Sequence, residues 1–495
     1  MDCNCNVLIT GATGYIGRRL KDRLLGHSEL TIRLLVRNKR KVRPEVLSKV
    51  EVVEGDTFSP QALEAALAGI DVAFYLIHSM GSGQDFEERD RQSAAHFREA
   101  CIAAGVKRLV YLGGLGVKAT ASRHLLSRIE TGEILSAHPE SLQTIWFRAG
   151  IIIGAGSASF EIIYNLLQKL PIMLTPKWLA TKTQPVAVDD VLAYLKAAIT
   201  VKVEGDLIVD IGGEAMSFRD MMLRAARVMG LQRLLVPVPV ISPRLSSFWL
   251  ILFTPIPYRM AAALIEGLKS ETVLQNDYAR RHFPEIKPLD YESAVAAAIA
   301  EMEDDQIVSR WCDSSNDLFC DIQHQDDPGT PILRDRQEIL LHGLAPNLVY
   351  AAIKSIGGGG GWLAYDVLWR IRGFLDKLVG GYGLNRGRRQ QKELRLGDAL
   401  DFWKVADLKE NKRVLLLAQM KVPGRAWLEF DIQDDRLVQT AHFHPRGLLG
   451  RLYWYSVWPF HGLVFKNLAQ KIVERAASMS LLQNKPDVDE TPAPQ

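Results

Sequence analysis

Apolar and polar positions alternate along the first third of the chain in a pattern that predicts short buried strands separated by helices. The strand-like runs are NVLIT, TIRLLV, VEVVEG, DVAFYLI, RLVYLGG and QTIWF, and stretches such as GYIGRRLKDRLL and PQALEAALAG lie between them. Short, nearly all-apolar strands joined by helices are typical of a parallel sheet that is covered on both faces. We therefore predict a doubly wound α/β core over residues 1–153.

The pattern becomes irregular and rich in helix over residues 154–302, with one strand-like run at residues 207–211. We expect this segment to be a lobe that covers the carboxyl edge of the sheet and holds a substrate. Residues 303–338 are polar, acidic and proline-bearing, a composition that cannot pack a core. They predict a linker, so the first folded part of the chain is expected to end near residue 302.

A second domain is predicted over residues 339–482. A helix-like opening is followed by the runs ALDFWKVADL, RVLLLAQMKV, AWLEFDIQ and LVQTAHFHP, and then by the long stretch PFHGLVFKNLAQKIVERA. Strands in series closed by a terminal helix favour an α+β domain in which an antiparallel sheet wraps onto a helix. The polar, proline-bearing residues 483–495 are expected to form a disordered tail.

Composition and charge narrow the class of partner and the compartment. Sixty Lys and Arg residues against 57 Asp and Glu give a net charge of +3 over 495 residues, which provides no overall field for nucleic acid. Five scattered cysteines and the lack of a secretory signal pattern favour the cytoplasm. Prolines and arginines interrupt the apolar residues 236–268, which predict a buried wall or a peripheral contact with the inner face of the membrane, and not a span.

The motif TGATGYIG at residues 10–17 follows an apolar strand and opens a helix. Glycines at this spacing allow a tight turn, a close approach of pyrophosphate to backbone amides, and close contact between helix and sheet. The alternative is that they only make a tight connection. Because three glycines stand in register at the first strand-to-helix turn, we predict a dinucleotide site, with contacts from Gly11, Thr13, Gly14, Tyr15, Ile16 and Gly17.

The residue at the end of the second strand predicts which dinucleotide binds. An acid there bonds the ribose 2′-hydroxyl of NAD, whereas an arginine accommodates the 2′-phosphate of NADP. Here this residue is Arg37, with Arg40 and Lys41 just beyond it. NADP(H) is therefore favoured over NAD(H), with a solvated basic turn as the alternative. Asp56, at the end of the third strand, is expected near the adenine.

Several motifs together resemble the atypical and extended short-chain dehydrogenases/reductases, which have a Rossmann fold: the glycine turn, Gly55-Asp56, HSMGSG at residues 78–83 and FRAGIIIG at residues 147–154. Within that superfamily the chain is most similar to NmrA-like and nucleoside-diphosphate-sugar-epimerase-like bacterial proteins that carry a C-terminal domain of unknown function. The resemblance implies that Asp56 with Thr57, and the strand end at Leu76 and His78, contact the cofactor. The C-terminal pattern resembles START and polyketide-cyclase-like helix-grip folds, which implies an apolar cavity between sheet and helix.

Members of this superfamily that transfer hydride typically pair a tyrosine with a lysine four residues later, which lowers the pKa of the phenol. No such pair follows the fifth strand here, and Gly113 and Gly114 stand where an assisting serine is expected. His124 and Arg128, one helical turn apart, are the candidates for an acid/base and for an anion contact, with a solvated helix face as the alternative. Arg148 either faces the nicotinamide or braces its loop.

Two classes of function compete at this point. The first is an NADP(H)-dependent oxidoreductase or nucleoside-diphosphate-sugar-epimerase-like enzyme that acts on an unknown small or hydrophobic molecule. The second is a protein that binds NADP(H) without turnover, either an NmrA-like redox sensor or a scaffold like the related accessory subunit of respiratory NADH:quinone oxidoreductase. The departure from the Tyr-Lys pair favours the second class.

The C-terminal domain carries His442, His444 and His461 without a carboxylate or cysteine at a recognisable metal spacing. We expect these histidines to be structural or to line a pocket, and we predict no metal site. Its aromatic residues, Trp427 and several in residues 453–460, could line a cavity or meet a membrane, and basic residues 386–392 could bind anionic lipid.

Overall fold

The chain forms two compact units, Met1–Asn316 and Asp317–Gln495. The computed structural model describes residues 5–78, 86–238, 258–268, 270–303, 308–309, 332–378, 381, 383, 388 and 393–483. Several sequence predictions fall wholly or mostly outside these residues: the turn at residues 79–83, much of the apolar stretch 236–268, most of the linker 303–338, most of the basic cluster 386–392, and the tail from residue 484.

Parallel strands form the centre of the first unit. The strands of this unit are β1 (Cys5–Thr10), β2 (Leu30–Val36), β3 (Glu51–Glu54), β4 (Val72–Tyr75), β5 (Arg108–Gly114), β6 (Gln143–Ala149), β7 (Ile152–Ile153), β8 (Ile172–Pro176), β9 (Lys182–Thr183), β10 (Val186–Ala187), β11 (Leu207–Ile211), β12 (Met216–Ser217) and β13 (Leu234–Val238). The main sheet has seven parallel strands in the order β11-β6-β5-β4-β1-β2-β3. All six strands predicted from the sequence lie in it.

Helices cover both faces of this sheet. The helices of the first unit are α1 (Tyr15–Leu24), α2 (Pro44–Leu47), α3 (Pro60–Leu67), α4 (Phe86–Ala103), α5 (Arg123–Leu135), α6 (Ala158–Lys169), α7 (Val188–Ala197), α8 (Phe218–Val228), α9 (Tyr258–Gly267), α10 (Tyr278–His282) and α11 (Tyr291–Glu303). Along β1, Val7 and Ile9 enter a core shared with α1 and α7, whereas Leu8 enters a second core shared with α3, α4 and α5. This alternation confirms the predicted doubly wound arrangement.

The segment after β6 divides between the sheet and a lobe. The run at residues 207–211, which the sequence pattern assigns to the lobe, is strand β11 and pairs in parallel with β6. The rest builds a separate core from α6, α8 and α11, in which Phe160, Met221 and Val295 are buried. Three two-stranded pairs, β7 with β10, β8 with β13 and β9 with β12, complete this region.

The second unit is an antiparallel sheet packed against helices, as predicted. Its elements are β14 (Leu333–Leu340), α12 (Pro346–Lys354), α13 (Asp366–Leu378), β15 (Ala399–Leu400), β16 (Trp403–Lys409), β17 (Arg413–Ala418), β18 (Gly424–Ile432), β19 (Arg436–Pro445) and α14 (Gly447–Gln483). The strand order is β14-β19-β18-β17-β16-β15, and every neighbouring pair is antiparallel. Apolar side chains of the sheet, such as Leu416 and Phe430, share one core with Ile353, Trp369 and Leu468 of the helices.

The linker predicted over residues 303–338 is too long at its C-terminal end. Strand β14 begins at Leu333 and pairs with β19 through Leu340. Four of its eight residues are charged, and every second residue is exposed, because it is an edge strand. This polar sequence looks like a linker even though its backbone belongs to the sheet.

No helix within the described ranges is long and apolar enough to cross a membrane.

Candidate functional site

The turn between β1 and α1 depends on its glycines. Gly11 has a φ of +64°, and a Cβ at this position would lie 2.4 Å from the carbonyl oxygen of Leu76. A Cβ on Gly17 would lie 2.2 Å from the carbonyl oxygen of Gly11, so the helix packs directly onto the turn. The Gly14 amide donates to the Gly11 carbonyl at 2.9 Å. Side chains at the first and third glycine would force the backbone apart.

Helix α1 starts without a capping side chain from the described residues. Its N-cap is Gly14, with extended backbone, and its first turn contains no acidic residue. The Nε of Arg18 donates to the carbonyl of Thr13 at 3.0 Å, which fixes the turn just before the helix. Uncapped amides at the positive end of a helix dipole favour an anion. The turn therefore has the geometry that a dinucleotide pyrophosphate requires.

Tyr15 and Ile16, the other predicted contacts in the turn, face inward. Ile16 packs against the core that contains α1 and α7. The Tyr15 hydroxyl is buried and has no hydrogen-bond partner among the described residues. Burial raises the pKa of the Tyr15 phenol, against the opposing effect of the nearby Arg19 guanidinium. At neutral pH the phenol is therefore protonated, and these two residues can contact a cofactor chiefly through their backbone.

A hydroxyl group joins the ends of β1 and β4. Thr10 Oγ1 donates to the carbonyl of Phe74 at 2.9 Å and accepts from the Leu76 amide at 3.3 Å. The strand order reverses its direction at this pair of strands, since β2 and β3 lie on one side and β5 and β6 on the other. Ligands of open α/β sheets bind in the crevice at such a switch point. Leu76 lies in the crevice wall, directly beside the glycine turn.

Arg37, Asp56 and Arg89 come together beyond the ends of β2 and β3. Partial desolvation lowers the pKa of the Arg37 guanidinium, and the Arg89 charge lowers it further, whereas Asp56 opposes both. Arg89 also lies over the ring of Phe58, 5.7 Å from its centroid. Sequence reasoning missed Arg89, because only the fold brings the first turn of α4 close to β2. A basic residue in the first turn of a helix, where the dipole disfavours it, was the one available signal.

Thr57 has a structural role through its side chain. Its hydroxyl is buried and lies 2.7 Å from Ser93 Oγ, which lies 2.7 Å from the Tyr75 hydroxyl. This chain of hydrogen bonds ties α4 to the ends of β3 and β4. Any contact of Thr57 with a cofactor is therefore made by its backbone.

His78, His124 and Arg128 meet near the carboxyl ends of β4 and β5. Burial lowers the pKa of His78 to about 3, and the charges of Arg128 and His124 contribute to the same shift. Burial and Arg128 also lower the pKa of His124, against the opposing charge of Asp90. The sequence proposed His78 and the His124-Arg128 pair on separate grounds, and the fold places all three within electrostatic reach of one another.

The orientations of His124 and Arg128 are set by their neighbours. The His124 ring stacks on Phe86, with centroids 4.7 Å apart and planes inclined by 18°. Arg128 Nη2 donates to the carbonyl of Leu112 at 3.2 Å, whereas its buried Nε has no hydrogen-bond partner in the part of the chain that the structure describes. An unsatisfied buried donor on a cation is costly, so an acceptor from a bound molecule would be stabilising here.

The glycines at the end of β5 are required by packing. A Cβ on Gly113 would lie 2.5 Å from the indole nitrogen of Trp146. A Cβ on Gly114 would lie 2.7 Å from Leu125 Cδ1 and 3.7 Å from Arg128 Cδ. A serine at Gly113 would require Trp146 to move, and a serine at Gly114 would require Leu125 to move. Trp146 of β6 and Leu125 of α5 therefore occupy the space that an assisting serine would need.

Arg148 is held in an ion pair at the end of β6. Its Nε donates to Asp210 Oδ1 at 2.6 Å, and its Nη2 donates to Asp210 Oδ2 at 3.0 Å. Asp210 is fully buried and also accepts from the Gln275 amide at 2.6 Å. Of the two roles weighed from the sequence, this geometry favours the brace.

The histidines of the second unit lie in different surroundings. His442 Nε2 lies 2.8 Å from Glu429, which also accepts from Arg413, and His461 Nδ1 lies 3.6 Å from Asp335. Within the described ranges, no group of three or more His, Cys, Asp or Glu side chains is arranged to hold a metal ion.

Comparisons with known proteins agree with this architecture. A family described as "NAD(P)H-binding" matches residues 11–145, and a family described as "Protein of unknown function (DUF2867)" matches residues 328–468. The chain is therefore an NAD(P)-binding protein in which a Rossmann domain precedes a DUF2867 domain. This combination is consistent with the atypical short-chain dehydrogenases/reductases and confirms the predicted class.

Two curated relatives are reductases. A ceramide reductase of Caulobacter vibrioides is 29% identical over 242 residues, which are 47% of this chain and 73% of the relative. A (4-alkanoyl-5-oxo-2,5-dihydrofuran-3-yl)methyl phosphate reductase of Streptomyces griseus is 27% identical over 236 residues, 45% of this chain and 74% of the relative. Among solved structures, a nucleoside-diphosphate-sugar epimerase of Staphylococcus aureus is similar, with 14% identity, a TM-score of 0.48, and coverage of 59% of this chain and 99% of its own.

Proposed function

We propose that the first unit is an NADP(H)-dependent reductase of a carbonyl compound, with His124 as the proton donor and Arg128 as the residue that stabilises negative charge on the substrate oxygen. The observation that carries this proposal is the meeting of His78, His124 and Arg128 at the carboxyl edge of the sheet, near the glycine turn. Both reductases among the relatives support reduction as the reaction class.

The residues of the turn fit a dinucleotide. Gly11 and Gly17 leave no room for a Cβ, and the uncapped amides at the start of α1 can bind pyrophosphate. We assign the 2′-phosphate of NADP to Arg37 with help from Arg89, because two guanidinium groups at the end of β2 would bind a dianion better than a ribose hydroxyl. The substrate would lie between this edge and the lobe formed within residues 154–302.

The chemistry divides between cofactor and protein. When bound, reduced nicotinamide supplies the hydride. Protonated His124 gives its proton to the carbonyl oxygen as the alcohol forms, and the Arg128 guanidinium, which has an unsatisfied Nε, donates to the same oxygen as negative charge develops. Because burial lowers the pKa of His124, the protonated form becomes scarce as pH rises. Reduction should therefore slow toward higher pH, and alcohol oxidation should show the opposite trend.

Cofactor preference is tested by titrating the purified protein with NADPH and NADH. Arg37→Ala should raise the Kd for NADPH by about 10- to 100-fold, because charge-assisted hydrogen bonds contribute about 1.5–3 kcal/mol, and should change the Kd for NADH by less than about threefold. Arg281→Ala removes an exposed arginine whose ion pair is with Asp277 and is the matched control. Equal losses for both dinucleotides would contradict the assignment of Arg37.

Catalysis is tested with NADPH and a panel of aliphatic and aromatic ketones. His124→Gln should lower kcat by at least about 100-fold, the usual contribution of a positioned acid, while the Kd for NADPH stays unchanged. His138→Gln, at an exposed histidine paired with Glu140, is the matched control. Saturable NADPH binding with no turnover of any ketone would favour the alternative, a redox sensor that binds the dinucleotide without reaction.

A further inference from the structure

Helices α13 and α14 of the second unit expose large apolar side chains to solvent. On α13, Val367, Ile371 and Phe374 are each more than half exposed, and Val367 reaches 66%. In residues 447–463 of α14, the most exposed are Leu448 at 73%, Leu449 at 72% and Tyr455 at 62%, and the series ends at Leu463. Isolated exposed leucines are ordinary, but a concentration of them on neighbouring helices marks an interaction surface.

Two side-chain hydrogen bonds connect the two helices in an antiparallel sense. Arg372 Nη2 donates to the Tyr453 hydroxyl at 3.1 Å, and Asn467 Nδ2 donates to the Tyr365 hydroxyl at 3.5 Å. The other side of α14 faces the core, where Trp454, Phe465 and Leu468 are buried. The exposed residues are therefore not a poorly packed part of the core. They form a second apolar side of a helix whose first side is already buried, and we refer to them, with those of α13, as the α13–α14 surface.

The α13–α14 surface carries mainly positive charge. Residues 366–378 and 447–470 together contain five basic and two acidic residues, a net charge of +3, which equals that of the whole 495-residue chain. Further along α14, Lys471 is paired with Glu474. Arg370, Arg451 and Lys466 are exposed. Both acids bind backbone amides: buried Asp376 accepts from Gly383 and Lys421, and Asp366 accepts from Trp362. No acidic residue occurs in α14 before Glu474.

We propose that the α13–α14 surface docks on a membrane that contains anionic lipids, with the helices lying in the plane of the interface. Exposed leucine and phenylalanine side chains would enter the acyl boundary, Tyr455 and Trp458 would sit at the headgroup level, and Arg446, Arg451 and Lys466 would contact lipid phosphates. A second copy of this chain fits less well, because two surfaces that each carry this excess of positive charge would repel each other. The proposal does not depend on the chemistry of the first unit.

The test is flotation of the full-length protein with vesicles of phosphatidylcholine alone or of phosphatidylcholine mixed with phosphatidylglycerol. We expect binding to the mixed vesicles and weaker binding at high salt. Leu452→Glu should lower the bound fraction at least about tenfold, because it removes a leucine side chain from the interface and adds a charge of the same sign as the lipid. Leu234→Glu is the matched control, because Leu234 lies in the first unit and is 58% exposed, compared with 57% for Leu452. Arg451→Gln should weaken binding to the mixed vesicles only.

Three outcomes would overturn the proposal. The first is that the wild-type protein floats with neither kind of vesicle. The second is that Leu452→Glu and Leu234→Glu bind equally well, which would locate any membrane contact elsewhere. The third is that light scattering shows a wild-type dimer that Leu452→Glu converts to a monomer without loss of vesicle binding, which would make a second copy the occupant of the surface. Far-UV circular dichroism and urea unfolding that match the wild-type protein verify that both variants are folded.

Discussion

Replacement of Arg148 distinguishes the two roles that the sequence leaves open, contact with the nicotinamide and bracing of its loop. In the fold, the Nε and Nη2 of its guanidinium both donate to Asp210, whose carboxylate is fully buried. Among the described residues, Arg148→Met leaves this carboxylate with the Gln275 backbone amide as its one remaining donor, at 2.6 Å. Removing one partner of a buried ion pair costs about 3–5 kcal/mol, because the remaining charge is uncompensated. The double variant Arg148→Met with Asp210→Leu removes that charge, and the remaining cost is then about 1–3 kcal/mol for the Gln275 amide left without its acceptor.

Urea unfolding followed by circular dichroism measures these free energies, and NADPH titration accompanies it. We expect the single variant to be less stable than the double variant, with the Kd for NADPH changed by less than about threefold in either protein. A loss of less than about 1 kcal/mol for Arg148→Met, together with a large rise in Kd, would refute the reasoning. Arg148 would then act on the nicotinamide and not as a brace between β6 and β11.

Two further predictions concern the glycine turn and His78. Gly17→Ala should abolish saturable NADPH binding, since its Cβ would lie 2.2 Å from the Gly11 carbonyl oxygen. Gly26→Ala is the control, because its Cβ would come no closer than 3.9 Å to the Arg23 carbonyl oxygen, and it should bind NADPH normally. Equal affinities of the two variants in a titration would contradict this. The pKa of His78 in the folded protein is about 3, below its ordinary value of 6.5. Between pH 6.5 and pH 3 the unfolded state therefore binds more protons than the folded state, so the stability of the protein falls as the pH is lowered through this range. Between pH 7 and pH 5 the wild-type protein should lose about 2 kcal/mol more than His78→Gln in urea unfolding, and parallel losses would count against a buried neutral imidazole.

The fold of the first unit could be predicted because its strands are short and apolar on both faces. A strand such as VAFY (β4) is buried throughout, and no surface strand has that composition. Strand β11 has a similar sequence, LIVDI, but lies well beyond β6 in the chain. Because β11 lies far from the other strands in sequence, the pattern assigned it to the lobe. In the fold it pairs with β6 and forms one edge of the main sheet. Hydrophobic pattern identifies strands, and it does not identify their neighbours.

Two features with charged sequences were also missed in the sequence analysis, the edge strand β14 and the basic residue Arg89. Strand β14 consists of LRDRQEIL and was assigned to a linker because its exposed positions are mostly charged, as suits the edge of a sheet. Arg89 was missed for a related reason, since only tertiary structure brings the first turn of α4 close to Arg37 and Asp56. The glycine turn could be predicted in more detail, because its function needs neighbouring residues in one short segment. A site assembled from separate elements leaves little trace in local sequence.

The two departures from the short-chain dehydrogenase pattern lie next to each other in the fold, where the end of β5 packs against α5. Helix α5 carries His124 and Arg128 where a tyrosine and a lysine are typical, and β5 ends in glycine where a serine is typical. A Cβ on Gly114 would lie 2.7 Å from Leu125 of the same helix and 3.7 Å from the Arg128 stem. The 3.7 Å separation from Arg128 is an ordinary van der Waals contact, whereas the 2.7 Å separation from Leu125 is too short. A serine at position 114 would therefore displace the end of the Leu125 side chain first, and the hydrogen bond from Arg128 to the Leu112 carbonyl does not by itself depend on glycine.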